Sequence, residues 1–208
     1  TKAVIGVHLY GQPCDVGAVR DICDDKGLVF IEDAAQAHGA EYNGKRAGAL
    51  GDLACFSFYA TKNLATGEGG MVTTASREYD ARLRRIINHG QSEKYLHTEL
   101  GYNYRMTDIN AAIGRVQLGK LDGFNRRRQE NAAYYGTHIT APGLVLPSVA
   151  PGRTHVWHQY SLRLTDAFPL SRDEFMARLR ERGIGCAVHY PVALSRQPYY
   201  AGAAVCPV

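Results

Sequence analysis

Across 208 residues, 45% hydrophobic and 21% charged, the chain has an ordinary globular balance, with apolar material for one domain and part of a second. The net charge is only +4, and no aromatic-interleaved basic module accompanies the run Asn125-Arg126-Arg127-Arg128, which reads as a solvated helix face; nucleic-acid binding is not expected. No apolar run approaches the roughly 18 residues of a membrane-spanning helix, and Cys14, Cys23, Cys55, Cys186 and Cys206 form no C-x-x-C pair, which speaks against a zinc site or disulfide framework and for a reducing cytoplasm.

In chain order, residues 3–8 form a short apolar run expected to be a core strand, without the charged-then-apolar layout of a signal peptide. Val16–Lys26 follows with helical spacing of Val16, Val19, Ile22 and Cys23, and Gly27 is placed to end it. Strands are expected at 28–31, 53–58 and Gly70–Thr74, and Ser76 should cap a helix reaching Ile87. This βαβ rhythm predicts an α/β fold with a mixed, mostly parallel sheet covered by helices.

A long helix is then expected from Thr107 past Gly123 toward Tyr135, carrying Ile109, Ala112, Ile113, Val116 and Leu118. Residues 140–154, rich in proline and glycine, read as a linker. A strand at 156–164, a helix at 171–182 and a strand at 185–189 would make a smaller second module. We therefore expect a large domain over 1–135 and an incomplete small α+β domain over 136–208. The chain opens on a core strand and closes at Cys206-Pro207-Val208 without a terminal element, so truncation at both ends is expected.

Three neighbourhoods fall at strand ends, where open α/β sheets place ligands. The first is Glu32-Asp33-Ala34-Ala35-Gln36-Ala37-His38-Gly39. The second is Phe56-Ser57-Phe58-Tyr59-Ala60-Thr61-Lys62-Asn63, and the third Gly67-Glu68-Gly69-Gly70. Singly, each has an ordinary explanation: Lys62 a solvated lysine, Asp33 a cap or surface charge, Ser57 a core hydroxyl, His38 a satisfied turn residue. Together, the order acid, hydroxyl, lysine suits a pyridoxal cofactor, which needs an amine for an imine, an acid for its ring nitrogen and donors for its phosphate.

The segments VHLYGQP (7–13), IEDAAQAHGA (31–40), GDLACFSFYATKNLATGEGGMV (51–72), NHGQ (88–91), GYNYRMTDINAAIGRVQL (101–118), HQY (158–160) and RGIGCAVHYPVALSRQPYY (182–200) resemble the DegT/DnrJ/EryC1/StrS sugar aminotransferases, of the fold-type I pyridoxal-phosphate enzymes. The resemblance runs nearly end to end. It implies pyridoxal 5′-phosphate as cofactor, with Lys62 holding it as a Schiff base and acting as catalytic acid–base. It implies that Asp33 pairs with the pyridinium nitrogen, Gln36 contacts the ring or its 3-hydroxyl, and Ser57 donates to the phosphate. Asn103 would reach the phosphate of a neighbouring subunit's cofactor, which implies a homodimer with shared sites. His189 and Tyr190 would lie near the substrate entrance, and Tyr59 and Tyr102 are left open between core and site. The activity implied is amino transfer, typically from glutamate, to a nucleotide-linked keto-sugar.

The family's upstream phosphate loop and ring-stacking aromatic have no counterpart here, and Ala60 stands where many relatives carry proline. A sugar dehydratase of the same fold would carry histidine in place of Lys62. A relative that binds ligand without turnover is the remaining alternative.

Overall fold

The computed structural model describes residues 1–200; Cys206 and the closing residues lie outside these. The first unit comprises Thr1–Thr140 and Leu146–Leu162, the second Ala141–Val145 and the chain from Arg163 on.

In the first unit, β1 (Ala3–Val7) leads through a short turn at Leu9–Gly11 to α1 (Val16–Lys26). The Asp15 side chain accepts the Ala18 N–H at 3.3 Å, and Gly27, at φ 62°, ends the helix in the left-handed conformation that glycine adopts without penalty. β2 (Val29–Asp33) follows, then the two-residue strands β3 (Glu41–Tyr42) and β4 (Lys45–Arg46), then β5 (Leu53–Ser57) and β6 (Gly70–Thr74). α2 (Arg77–Ile86) starts at Ser76, whose hydroxyl accepts the Tyr79 N–H. The principal sheet has the order β1-β2-β5-β6; its first two pairings are parallel and the last is antiparallel, as expected of a mixed, mostly parallel α/β sheet.

Register assigns the faces. Val7 lies beside Asp33, and Asp33 beside Cys55, so Ile5, Val7, Ile31, Asp33, Cys55 and Ser57 share one side. Phe30, Glu32 and Ala54 share the other, fully buried side, where α1 and the core of Val16, Cys23, Ala34, Ala37, Ala40, Leu50 and Val156 pack.

Beyond α2, β7 (Gln91–Glu93) and β8 (Leu96–His97) form a small hairpin. The single long helix expected after Thr107 is two helices, α3 (Asp108–Leu118) and α4 (Leu121–His138). Gly119 and Lys120 separate them, and the break lets Leu121 bury itself against Phe58 and Leu64.

Of the expected strand at 156–164 only Arg163–Leu164 joins a ladder. Ahead of Arg163 the polar backbone is taken up by irregular partners: Val156 N–H donates to the Gly11 carbonyl, Gln159 N–H to that of Tyr10, and the Trp157 carbonyl accepts from Arg128. The 140–154 stretch is less open than a linker, because β9 (Leu144–Val145) and β10 (Arg153–Thr154) both pair, β10 with β3. In the second unit, β11 (Arg163–Leu164) pairs with β9, and α5 (Arg172–Glu181) begins with a Ser171–Glu174 capping box. Residues 185–189 form no strand; the Cys186 carbonyl accepts from Arg180 instead.

Candidate functional site

Asp33 is the last residue of β2, and Ser57 the last of the neighbouring parallel strand β5, on the same side of the sheet. Asp33 Oδ1 accepts the Ala35 N–H at 3.1 Å, which orients a partly exposed carboxylate at the start of the turn that carries Gln36. Its charge reaches Cys55: burial first, then Asp33, raises that thiol's pKa. Gln36 Oε1 accepts the Tyr10 N–H at 2.6 Å. An amide N–H can only face an acceptor, so this contact sets the amide's orientation and leaves Nε2 as a donor. Ser57 Oγ accepts the Tyr59 N–H at 3.3 Å, so its own O–H is left to donate.

Lys62 closes the turn after β5, its N–H donating to the Tyr59 carbonyl at 2.9 Å, with its side chain half-buried. The next loop folds back on this turn: Thr66 N–H donates to the Phe58 carbonyl, and Phe58 N–H to that of Gly69. Asn110 of α3 donates to the Glu68 carbonyl at 3.0 Å. An acid, two directed donors and the turn that carries Lys62 are thereby gathered at one end of the sheet.

Asn103 is not drawn into this group. It is exposed, bridged to Asn88, and its side-chain oxygen accepts from Arg105 at 3.1 Å. His189 and Tyr190 are exposed residues of the second unit with their rings stacked 5.7 Å apart. Tyr59 and Tyr102 are both exposed, Tyr102 stacking on Tyr104 at 4.9 Å. A hollow beside α4, lined by Arg128, Ala132, Tyr135, Trp157 and Tyr160 among others, contains none of the expected site residues.

Several residues behind the site escaped sequence reasoning. Glu32, beside Asp33 but on the buried face, is fully enclosed. Its carboxylate accepts the N–H groups of Gly48, Leu50 and Gly51 at 2.7–2.8 Å and pairs with His8 Nε2 at 2.9 Å. Burial works to raise its pKa, and His8 with the three amides outweighs burial and lowers it. On His8, burial opposes charge, while hydrogen bonding to the Cys14 side chain and Glu32 raises the pKa to about 9. The Cys14 N–H works against that second proton, because it donates to Nδ1 at 3.2 Å and so requires an unprotonated nitrogen. With Nδ1 accepting from Cys14, the pair is a carboxylate facing an Nε2–H imidazole.

His38 differs from the satisfied turn residue expected of it. Only 2% exposed, its ring lies 5.3 Å from that of Phe56 and 6.0 Å from that of Phe58, and neither nitrogen has a hydrogen-bond partner. Burial lowers its pKa to about 4; the Ser57 carbonyl pulls upward and the Lys62 charge adds to the lowering. The basic run is likewise only partly a solvated face: Asn125 is buried, and Arg128 donates to the Trp157 carbonyl at 2.9 Å.

Residues 1–207 match the DegT/DnrJ/EryC1/StrS aminotransferase family model. The chain is 44% identical over 206 residues to dTDP-3-amino-3,4,6-trideoxy-alpha-D-glucose transaminase of Streptomyces venezuelae, covering 98% of this chain and 53% of that protein. It is 41% identical over 211 residues to UDP-N-acetyl-3-dehydro-alpha-D-glucosamine 3-aminotransferase of Acidithiobacillus ferrooxidans, covering 100% of this chain and 56% of that protein. The crystal structure of S. venezuelae DesV in complex with a ketimine intermediate superposes with a TM-score of 0.91 at 44% identity, covering 99% of this chain and 55% of DesV. The chain thus spans about half the length of the relatives it matches. From the match over nearly all its residues and the agreement in fold, the chain belongs to the DegT/DnrJ/EryC1/StrS aminotransferase family.

Proposed function

We propose that the protein carrying this chain is a cytoplasmic, pyridoxal-phosphate-dependent aminotransferase that moves an amino group, from an amino acid such as glutamate, onto a nucleotide-linked keto-sugar. The observation that carries the reading is the grouping of Asp33, Gln36, Ser57 and the Lys62 turn at one end of the sheet in a chain of this family. The names of two relatives both specify position 3 of the sugar, which favours a 3-keto substrate.

The donor set suits the cofactor. Lys62 Nζ would hold it covalently, the Asp33 carboxylate would face its ring nitrogen, Gln36 Nε2 would donate to its 3-oxygen, and Ser57 O–H to its phosphate. Bound there, the group supplies an electron sink for charge developing at the reacting carbon. Asp33, held by the Ala35 N–H, keeps a proton on the ring nitrogen, and Lys62 Nζ moves protons at the substrate carbon. Lys62 also weighs against the dehydratase alternative.

We further propose a homodimer in which Asn103 reaches the partner's cofactor phosphate. Support comes from an uncovered apolar stripe on α3, where Ile109, Ile113 and Val116 stand one turn apart and Ile109 is 74% exposed. His189 and Tyr190 are proposed to contact the sugar nucleotide. The test is amino transfer from glutamate to dTDP- and UDP-linked 3-keto-sugars, followed by product mass, with Lys62→Ala as control. Amination dependent on Lys62 is expected; a cofactor-loaded protein inert to every keto-sugar but active on keto acids would overturn the substrate class.

A further inference from the structure

We propose that Asn63 and Asn125 form a positioning clamp that holds the Lys62 turn against the turn following Asp33; this rests on the reading of Lys62 and Asp33 as one cofactor site. Asn63 and Asn125 are 5% and 6% exposed. Asn63 Nδ2 donates to Asn125 Oδ1 at 2.9 Å and to the Val156 carbonyl at 2.8 Å. Asn125 Nδ2 donates to the His38 carbonyl at 2.8 Å, and Asn63 Oδ1 meets His158 Nδ1 at 3.3 Å. Asn125 of α4 is therefore tied to the lysine turn and to the turn between Asp33 and Gly39, and Asn63 in turn ties the lysine turn to 156–158.

The orientation of both amides is forced. Val156 and His38 offer carbonyls, which only Nδ2 can satisfy, and that leaves Asn125 Oδ1 facing Asn63 Nδ2. Flipping either amide would set oxygen against oxygen in a buried place. The fit is close enough to dictate a neighbour: a Cβ on Gly39, at φ +82°, would come within 2.8 Å of Asn125 Nδ2.

A clamp of this kind acts on chemistry through position. Asn63 adjoins Lys62, and burying its side chain fixes the backbone from which Nζ reaches. Asn125 holds the His38 end of the turn that begins at Asp33. Loosening the pair would let acid and amine drift independently, and misplacement costs rate out of proportion to stability.

The test compares Asn125→Asp, Asn125→Ser and, as control, Val16→Ala, a truncation on α1 in the core that removes none of the clamp's hydrogen bonds. Asn125→Asp keeps an acceptor for Asn63 and loses the donor to His38; Asn125→Ser is the smaller change should the carboxylate prevent folding. Hydrogen exchange without cofactor reads the turns directly. The amides of Lys62 and Ala37 should exchange about tenfold faster in both Asn125 variants and not in Val16→Ala. Titration with pyridoxal phosphate should show about tenfold weaker capture in the same two variants. Variants that melt earlier while exchange at these amides and capture match Val16→Ala would reduce the pair to a packing role and overturn the proposal. A parent protein that never captures the cofactor would sink the functional reading, and exchange alone would then decide whether the two turns are coupled through Asn125.

Discussion

Glu32 and Asp33 are adjacent carboxylates, and the pleat sends them to opposite faces of one sheet. On the covered face Glu32 is enclosed and four times hydrogen-bonded, among Phe30, Ala54 and Val156. On the other face Asp33 has a single bond to the next turn, beside Cys55 and Ser57, below Ile5 at 64% exposure and a half-exposed Val7. The covered face spends its polar groups on holding the strand ends and the loop at 48–51. The open face leaves hydrogen-bonding capacity unspent, and that capacity is what a ligand can use.

Substitutions at matched positions sharpen this contrast. Glu32→Leu leaves three amides and His8 without a partner in the interior, and a loss of about 3–5 kcal/mol is expected in a denaturant titration. Phe30→Ala on the same face should cost about 3–5 kcal/mol as well. A Glu32→Leu protein as stable as its parent would refute the assignment of the faces.

Acid should act through the same interior. His38 and His155 both titrate near 4, below the ordinary 6.5, because burial disfavours their charge. The unfolded chain therefore takes up these protons first. Stability is complete above about 6.5 and falls as pH drops toward 4, by roughly 3 kcal/mol per histidine. His38→Phe, which fills the space between Phe56 and Phe58 without a titrating group, should flatten that slope. An unchanged melting profile between pH 6.5 and 4 would show that His38 is protonated in the folded protein.

On the open face the effects reverse in kind. Asp33→Asn should alter stability by less than about 1 kcal/mol, since one local bond is at stake, yet weaken cofactor capture at least tenfold. Ile5→Ser should change stability least, by no more than about 0.5 kcal/mol in a denaturant titration. A large loss of stability from either substitution, with capture intact, would break the division between the faces.

Much of this was legible in the residues. The bounds of α1 and β6, and the caps at Gly27 and Ser76, follow from spacing and local chemistry, which the fold does not override. The 156–164 run misled because, ahead of Arg163, its residues find loop and side-chain partners rather than a ladder, and those partners are distant in sequence. In the candidate site, the order of Asp33, Ser57 and Lys62 carried the chemistry. The resemblance already singled out Asp33, and the register of β2 against β5 adds that Glu32 faces the other way. Asn125 was hidden in a basic run, where only the break at Gly119 and the approach of Gly39 set its side chain inward.

Lys62 is the residue proposed to hold the cofactor. Incubating the protein with pyridoxal phosphate, reducing with borohydride and mapping peptides by mass spectrometry tests it directly. The reduced adduct is expected on Lys62, lost in Lys62→Ala and diminished in Asp33→Asn. An adduct on another lysine that persists in Lys62→Ala would contradict it.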